Sequence, residues 1–292
     1  MFNPYKRSDV FKCKSSEHAK FEHHVSVYHV MRVKNCYPQG CLSFRWRCQL
    51  LNKGQRCTKG FNYVGRKCFG CRYYFDEKIH NFPTLLLSQE QYSHFLNELE
   101  EFEDWLETIQ DKNLEIQGVV VSVKPGLTKI IHQHGSHLEL NGYFVHFNEA
   151  FIDRTHWEDH CYALLFPDQQ ERFQLAPGDK LEFRAKVTLN EGRLLFKKIN
   201  GVEFLHRSNK PTWTNSQALV TKRTTIAFDR QPTKCLHCDQ GMLVDVIDKS
   251  RPQWERSREL FCLKAFPSPE LCYYQIEQKL LESIDQCPAL SE

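Results

Sequence analysis

Two groups of cysteines carry the most chemically committed spacing in the 292-residue chain. The first holds Cys36, Cys41, Cys48, Cys57, Cys68 and Cys71, the last two as a Cys-x-x-Cys pair, and the second holds Cys235-x-x-Cys238 with Cys262 and Cys272 downstream. Thiolates so placed are soft donors suited to tetrahedral zinc, and equally to an iron–sulfur cluster. The chain has 13 cysteines, an odd number, and its first residues, MFNPYKRSDVFKCKSS, contain no apolar leader. Reduced, metal-binding thiols in a cytoplasmic protein are therefore expected, rather than a disulfide framework.

Within the first group, Cys68 and Cys71 form a knuckle, and Cys36 and Cys41 are the pair that a hairpin would bring beside it. Cys48 falls on the apolar side of its expected strand, where a small core residue is as good a reading as a ligand; Cys57 fits either role. Zinc at both ends of the chain is the first expectation, with an iron–sulfur cluster at the N-terminal cysteines as the alternative.

The same N-terminal stretch is rich in cations and rings. No Asp or Glu occurs between His23 and Phe75, while Arg32, Lys34, Arg45, Arg47, Lys53, Arg56, Lys59, Arg66, Lys67 and Arg72 alternate with Phe44, Trp46, Phe61, Tyr63, Phe69, Tyr73 and Tyr74. Net charge is only +3, yet residues 1–80 carry 16 basic and 5 acidic side chains, whereas residues 81–115 carry 1 basic and 9 acidic. A basic head beside an acidic helix is the main electrostatic feature.

The elements that must position these groups follow from periodicity and punctuation. HHVSVYHVMRVKN reads as a strand, and Leu42 to Leu50 alternates apolar with cationic residues, predicting a β-hairpin with a basic outer face. Ser88 with Gln91 predicts a capping box, followed by Tyr92, Phe95, Leu96, Leu99, Phe102, Trp105, Leu106 and Ile109 at helical spacing. From about Glu115 the chain turns to short strands, IQGVVVSV, YFVHF, YALLF, KLEFRAKVTL and RLLFKKI. Turns are expected at Lys124-Pro125-Gly126, Asn141-Gly142, Pro177-Gly178-Asp179 and Asn190-Glu191-Gly192. ALVTKRTTIAF is a candidate strand within a linker, and Ser268-Pro269-Glu270 predicts a terminal helix to about Ile284.

Three resemblances enter on these residues. IQGVVVSV, PGDKLEFRAKV and NEGRLLFKKI resemble the first and the closing strands of an OB-fold, which implies an oligonucleotide- or oligosaccharide-binding face. Cys235-x-x-Cys238 with Gly241 entering a strand resembles half of a zinc ribbon, with Cys262 and Cys272 completing the site. The nine residues between Cys262 and Cys272 exceed the two to four usual in such modules. His132-Gln133-His134-Gly135-Ser136-His137 resembles the first metal motif of metallo-β-lactamase-like hydrolases. Ser136 stands where that motif has Asp, so a polar loop between strands is the better reading, with His146, His156, Asp159 and His160 the further residues such a site would need.

The expected architecture is mainly β with two amphipathic helices: a Cys-rich basic module (1–80), an acidic helix (81–114), an OB-like barrel (115–206), a linker (207–234) and a zinc-ribbon-like module (235–292). The expected function is binding of single-stranded DNA or RNA without catalysis. Arg45, Trp46, Arg47, Arg66, Lys67, Arg72 and Tyr73 would contact the strand, with Lys124 and Lys129 on the barrel side, phosphates meeting cations and bases stacking on rings. Offsetting the negative charge of a four-thiolate zinc site is the structural explanation for the cations. The competing functions are electron transfer or redox sensing through iron and sulfur, and an assembly scaffold whose basic surface meets an acidic protein. No apolar run is long enough for a membrane span.

Overall fold

The computed structural model describes residues 1–236, 238–250 and 254–273. Its contacts divide the chain into residues 3–103 and a larger unit made of residues 1–2 and 104–292. The described chain is mostly β, with one large mixed sheet.

The N-terminal unit is built from short pieces. β1 (Phe11–Lys12) pairs antiparallel with β2 (His24–Val25) and with β5 (Thr84–Leu85), and β3 (Cys41–Cys48) pairs with β4 (Tyr74–Asn81). The strand expected over His23–Asn35 is confined to β2, because the following residues turn into a helical segment, His29–Val33. Ser26 Oγ accepts the His29 N–H at 3.3 Å, a local cap that competes with strand pairing, while Val27 and Val30 are fully buried.

The expected hairpin is also replaced. β3 pairs with a strand that begins beyond Cys71, and its nominally apolar face is open, with Leu42 47% and Phe44 55% exposed. The chain between them contains one helical turn, α1 (Gln49–Asn52), a 3-10 turn (Arg66–Cys68) and otherwise loops.

α2 (Gln89–Ile109) has the predicted capping box: the Ser88 N–H donates to Gln91 Oε1 (2.9 Å) and the Gln91 N–H to Ser88 Oγ (3.2 Å). Phe95, Leu99, Phe102, Leu106 and Ile109 are buried, at the spacing an apolar helical stripe requires. In the N-terminal unit its acidic residues meet Arg7 and Arg32, through Glu98 and Glu103 respectively. Arg32 is therefore committed to the helix.

The larger unit contains β6 (Asn113–His132), β7 (Gly135–Ile152), β8 (Thr155–Trp157), β9 (Cys161–Leu165), α3 (Pro167–Phe173), β10 (Lys180–Asn190), β11 (Arg193–His206), α4 (Asn215–Thr224), β12 (Ile226–Phe228), α5 (Thr233–Leu236), β13 (Gly241–Asp248) and β14 (Glu255–Cys262). Among the described residues nine strands form one sheet in the order β12-β14-β13-β6-β10-β11-β9-β7-β8, and β6 also pairs with β7. The pairings β6–β10–β11–β9–β7 thus return to β6. They are antiparallel except for β9 with β11, and β13 joins β6 in parallel. Phe147 stacks on Phe183 and Phe196 stands edge-on to both, and Ile116, Val120, Val187 and Leu194 are buried as well.

Two expected turns lie inside strands. β6 runs through Lys124-Pro125-Gly126 with a register shift between Pro125 and Leu127, so a bulge absorbs the missing proline N–H. β7 runs through Asn141-Gly142, where Gly142 has φ +123° and a Cβ would lie 2.1 Å from the Leu165 carbonyl oxygen. Asn190-Glu191-Gly192 does form the β10–β11 hairpin turn, with positive φ at Glu191 and Gly192.

The strand expected over ALVTKRTTIAF is mostly α4. Its Thr214 and Gln217 form a reciprocal capping box that outweighs the β-branched content, and only Ile226–Phe228 is strand. Of the expected terminal helix the described residues hold a 3-10 turn, Pro269–Leu271, followed by non-helical Cys272 and Tyr273; residues 274–284 lie outside them.

Candidate metal centres and basic platform

In the N-terminal unit, β3 ends at Cys48, a loop carries Cys57, and a single 3-10 turn (Arg66–Cys68) leads to Cys71. Cys48, Cys57, Cys68 and Cys71 line one cavity, together with Leu51, Phe61, Val64 and Tyr74. The Lys59 N–H donates to Cys57 Sγ at 3.4 Å, and N–H groups of Lys59 and Phe61 hold the Cys57 thiol below its ordinary value. Donors aimed at sulfur favour the thiolate, the form that binds metal. The wall is braced by an edge-to-face chain, Trp46 on Phe69 (5.0 Å) and Phe69 on Tyr74 (5.2 Å).

This grouping differs from the one the spacing suggested. Cys48 and Cys57 stand with Cys68 and Cys71, whereas Cys36 is beside Cys41 and Cys13. Pairing of β3 with β4 delivers the end of β3 to the knuckle and its start, Cys41, to the far end of the ladder, opposite Asn81.

The four C-terminal cysteines line one cavity. Cys235 on α5, Cys238 before β13, Cys262 at the end of β14 and Cys272 beyond the last turn line a second cavity with Phe228 and Phe266. The Gln240 N–H donates to Cys238 Sγ at 3.3 Å, the counterpart of the Lys59–Cys57 bond. Gly241 is needed here, because a Cβ would stand 1.8 Å from the Cys235 carbonyl oxygen. Burial pushes the Cys235 thiol up; Lys234 acts against this, and the neighbouring Cys238, Cys272 and Cys262 thiols add to it.

Both sets are all-thiol and soft, a donor chemistry that fits zinc or iron–sulfur. As the side chains are placed, no three Cys, His, Asp or Glu among the described residues stand together closely enough to hold an ion. Closing on a metal therefore requires side-chain movement within these cavities. An ion so bound would supply folding energy to segments that have little core of their own.

Around the first cavity Arg45, Arg56, Lys59, Arg66, Lys67 and Arg72 are exposed, and so are Phe44, Phe69 and, at 77%, Tyr63. Arg72 lies over the Tyr73 ring at 4.7 Å, an arrangement that keeps a flat cationic surface. Arg47 is instead paired with Glu77 at 2.7 Å, and Trp46 is half-buried. Tyr63, Phe44, Arg56 and Lys59 were present in the basic stretch, but sequence alone did not distinguish exposed rings from packed ones.

Lys124 and Lys129 have other partners. Lys124 Nζ donates to the carbonyl oxygens of Cys238 (3.0 Å) and Gly241 (2.9 Å), and burial lowers its pKa. Lys129 Nζ pairs with Glu259 at 2.7 Å. Both tie β6 to the C-terminal cysteine module, so neither is presented to a ligand.

The histidine motif forms a hairpin tip. His132 and His137 stack at 5.5 Å across the β6–β7 turn, and His146 Nε2 lies 2.8 Å from His160 Nδ1. The two pairs have no third ligand gathered with them among the described residues.

No protein-family model, curated protein or solved structure matches this chain. The functional reading therefore rests on its own residues. No described helix is long and apolar enough to cross a membrane.

Proposed function

We propose that the protein binds single-stranded nucleic acid on the loop surface around Cys48, Cys57, Cys68 and Cys71, with zinc held by these thiols and by Cys235, Cys238, Cys262 and Cys272. The observation that carries this reading is the exposure of Tyr63, Phe44 and Phe69 among exposed Arg45, Arg56, Lys59, Arg66, Lys67 and Arg72, in a stretch without a carboxylate. Exposed rings cost solvation and gain by stacking on bases; exposed cations meet phosphates. Compensation of thiolate charge accounts for some cations but not for the exposed rings. The residues proposed to bind are thus Arg45, Arg66, Lys67, Arg72 and Tyr73 from the original set, with Tyr63, Arg56 and Lys59 added.

The circuit of pairings through β6, β10, β11, β9 and β7, with α3 between β9 and β10, supports an OB-like barrel for residues 115–206. Because Lys124 and Lys129 are engaged elsewhere, the N-terminal loop carries the proposed contact. The test is binding of a labelled single-stranded oligonucleotide at increasing salt. The reading expects log K to fall linearly with log salt, at a slope of roughly −0.7 per phosphate neutralised. Absence of binding, or affinity that does not respond to salt, removes it.

A further inference from the structure

We propose that Cys13, Cys36, Cys41 and His18 form a third metal centre, separate from the two four-cysteine sets. The spacing is that of two knuckles, Cys13-x4-His18 and Cys36-x4-Cys41, each at the long end of the interval seen for structural zinc ligands.

Local structure builds each knuckle. Cys13 follows β1, and its N–H donates to the His23 carbonyl oxygen at 2.9 Å. Ser15 then caps the 3-10 helix Ser16–Phe21 that carries His18. On the other side, Cys36 donates its N–H to Val30 and accepts that of Gly40, closing a tight loop into Cys41 at the start of β3. Gly40 has φ +85°, and a Cβ there would lie 2.9 Å from the Asn81 carbonyl oxygen, so this loop requires glycine.

Cys13 and Cys36 are buried, and Cys41 and His18 are half-buried. Cys13 and Cys36 are each 2% exposed, the Cys36 thiol is hydrogen-bonded with Cys41, and Cys13 is close enough to act on it electrostatically. Three neighbouring thiols would be a plain apolar filling except for His18, whose Nδ1 is buried and has no hydrogen-bond partner among the described residues. A buried imidazole nitrogen without a partner is costly, and a metal ion would satisfy it. The neighbouring histidines are otherwise occupied: His23 Nδ1 lies 3.0 Å from the Cys13 carbonyl oxygen, His24 Nδ1 3.0 Å from that of Ser8, and the His29 ring stands edge-on to His18 at 5.1 Å. Drawn in around an ion by the side-chain movement that the two other sets also require, three thiolates and one imidazole would make a closed structural zinc site.

The inference does not depend on nucleic-acid binding, and its test reads metal alone. The full chain, purified anaerobically with zinc, is assayed for metal per chain by mass spectrometry, then reloaded with Co2+. The expected result is about three zinc ions per chain, one for each four-ligand set. Cys13→Ser and Cys68→Ser should each remove one ion, and the double variant two. His18→Cys keeps the count, guards against loss through misfolding, and moves the cobalt visible bands to longer wavelength as sulfur replaces nitrogen. Two or fewer ions in the unmodified chain, an unchanged count in Cys13→Ser, or an unchanged cobalt spectrum in His18→Cys would overturn the proposal.

Discussion

The two four-cysteine sets use the same donors and the same N–H to sulfur knuckle, yet they are held very differently. Around Cys235, Cys238, Cys262 and Cys272 the frame is continuous with the large sheet: β13 pairs with β6 and β14, Lys124 bonds two knuckle carbonyls, and Phe228, Cys235, Leu260 and Cys262 form a small buried cluster. Around Cys48, Cys57, Cys68 and Cys71 the chain from Lys53 to Arg72 is mostly exposed loop with one 3-10 turn, and none of its residues is fully buried. A segment without a core cannot fix its own shape, so on the proposed reading an ion would take the part of the core there. Where sheet and apolar packing frame the thiols, cations such as Lys124 serve the fold; around the N-terminal set, cations and rings remain exposed.

The largest test of this contrast is removal of the ion from each site in turn. Cys68→Ser with Cys71→Ser forfeits a binding free energy on the order of 10–16 kcal/mol for a structural zinc site, and hydrogen exchange should show residues 53–72 losing protection altogether. Cys235→Ser with Cys238→Ser should lose its ion while the amides of β13 and β14 stay protected; equal loss at both ends would break the comparison.

A smaller effect is expected from the packing that only the C-terminal set possesses. Leu260→Ala, at a fully buried position, should destabilise the larger unit by about 2–5 kcal/mol in denaturant titration without altering the N-terminal ion.

Next come single side chains with opposite duties. Tyr63→Ala should weaken oligonucleotide binding by about 1–3 kcal/mol and leave stability unchanged. Lys124→Met should do the reverse, lowering stability by about 1–3 kcal/mol through loss of the two hydrogen bonds from its ammonium, with affinity unchanged.

The smallest effect is a pH dependence confined to the N-terminal unit. Tyr5 is pushed up to about 12, first by burial and then by its hydrogen bond to Glu103. A raised folded-state value stabilises below the unfolded value near 10 and loses that contribution as pH rises through about 12. Tyr5→Phe should therefore flatten the alkaline limb of thermal unfolding between those values.

Local rules made part of this fold legible. The Ser88–Gln91 box, the Asn190-Glu191-Gly192 turn and the four C-terminal cysteines depend on neighbours in sequence or on strongly typed spacing. The partition of the N-terminal cysteines did not, because it is set by pairing of β3 with a strand more than twenty residues on, a register that alternation alone cannot specify. Lys124-Pro125-Gly126 misled for a related reason: a bulge lets a turn-like triplet remain in a strand. In α4 the capping pair Thr214 and Gln217 decided against a β-branched composition.

The most direct measurement is anisotropy of a labelled single-stranded oligonucleotide, titrated with zinc-loaded protein and with the Cys68→Ser, Cys71→Ser variant across a salt series. The account predicts salt-dependent binding by the first and a loss of about tenfold or more by the second, equivalent to at least about 1.4 kcal/mol. Equal affinity of the two proteins, or no binding by either, would contradict it.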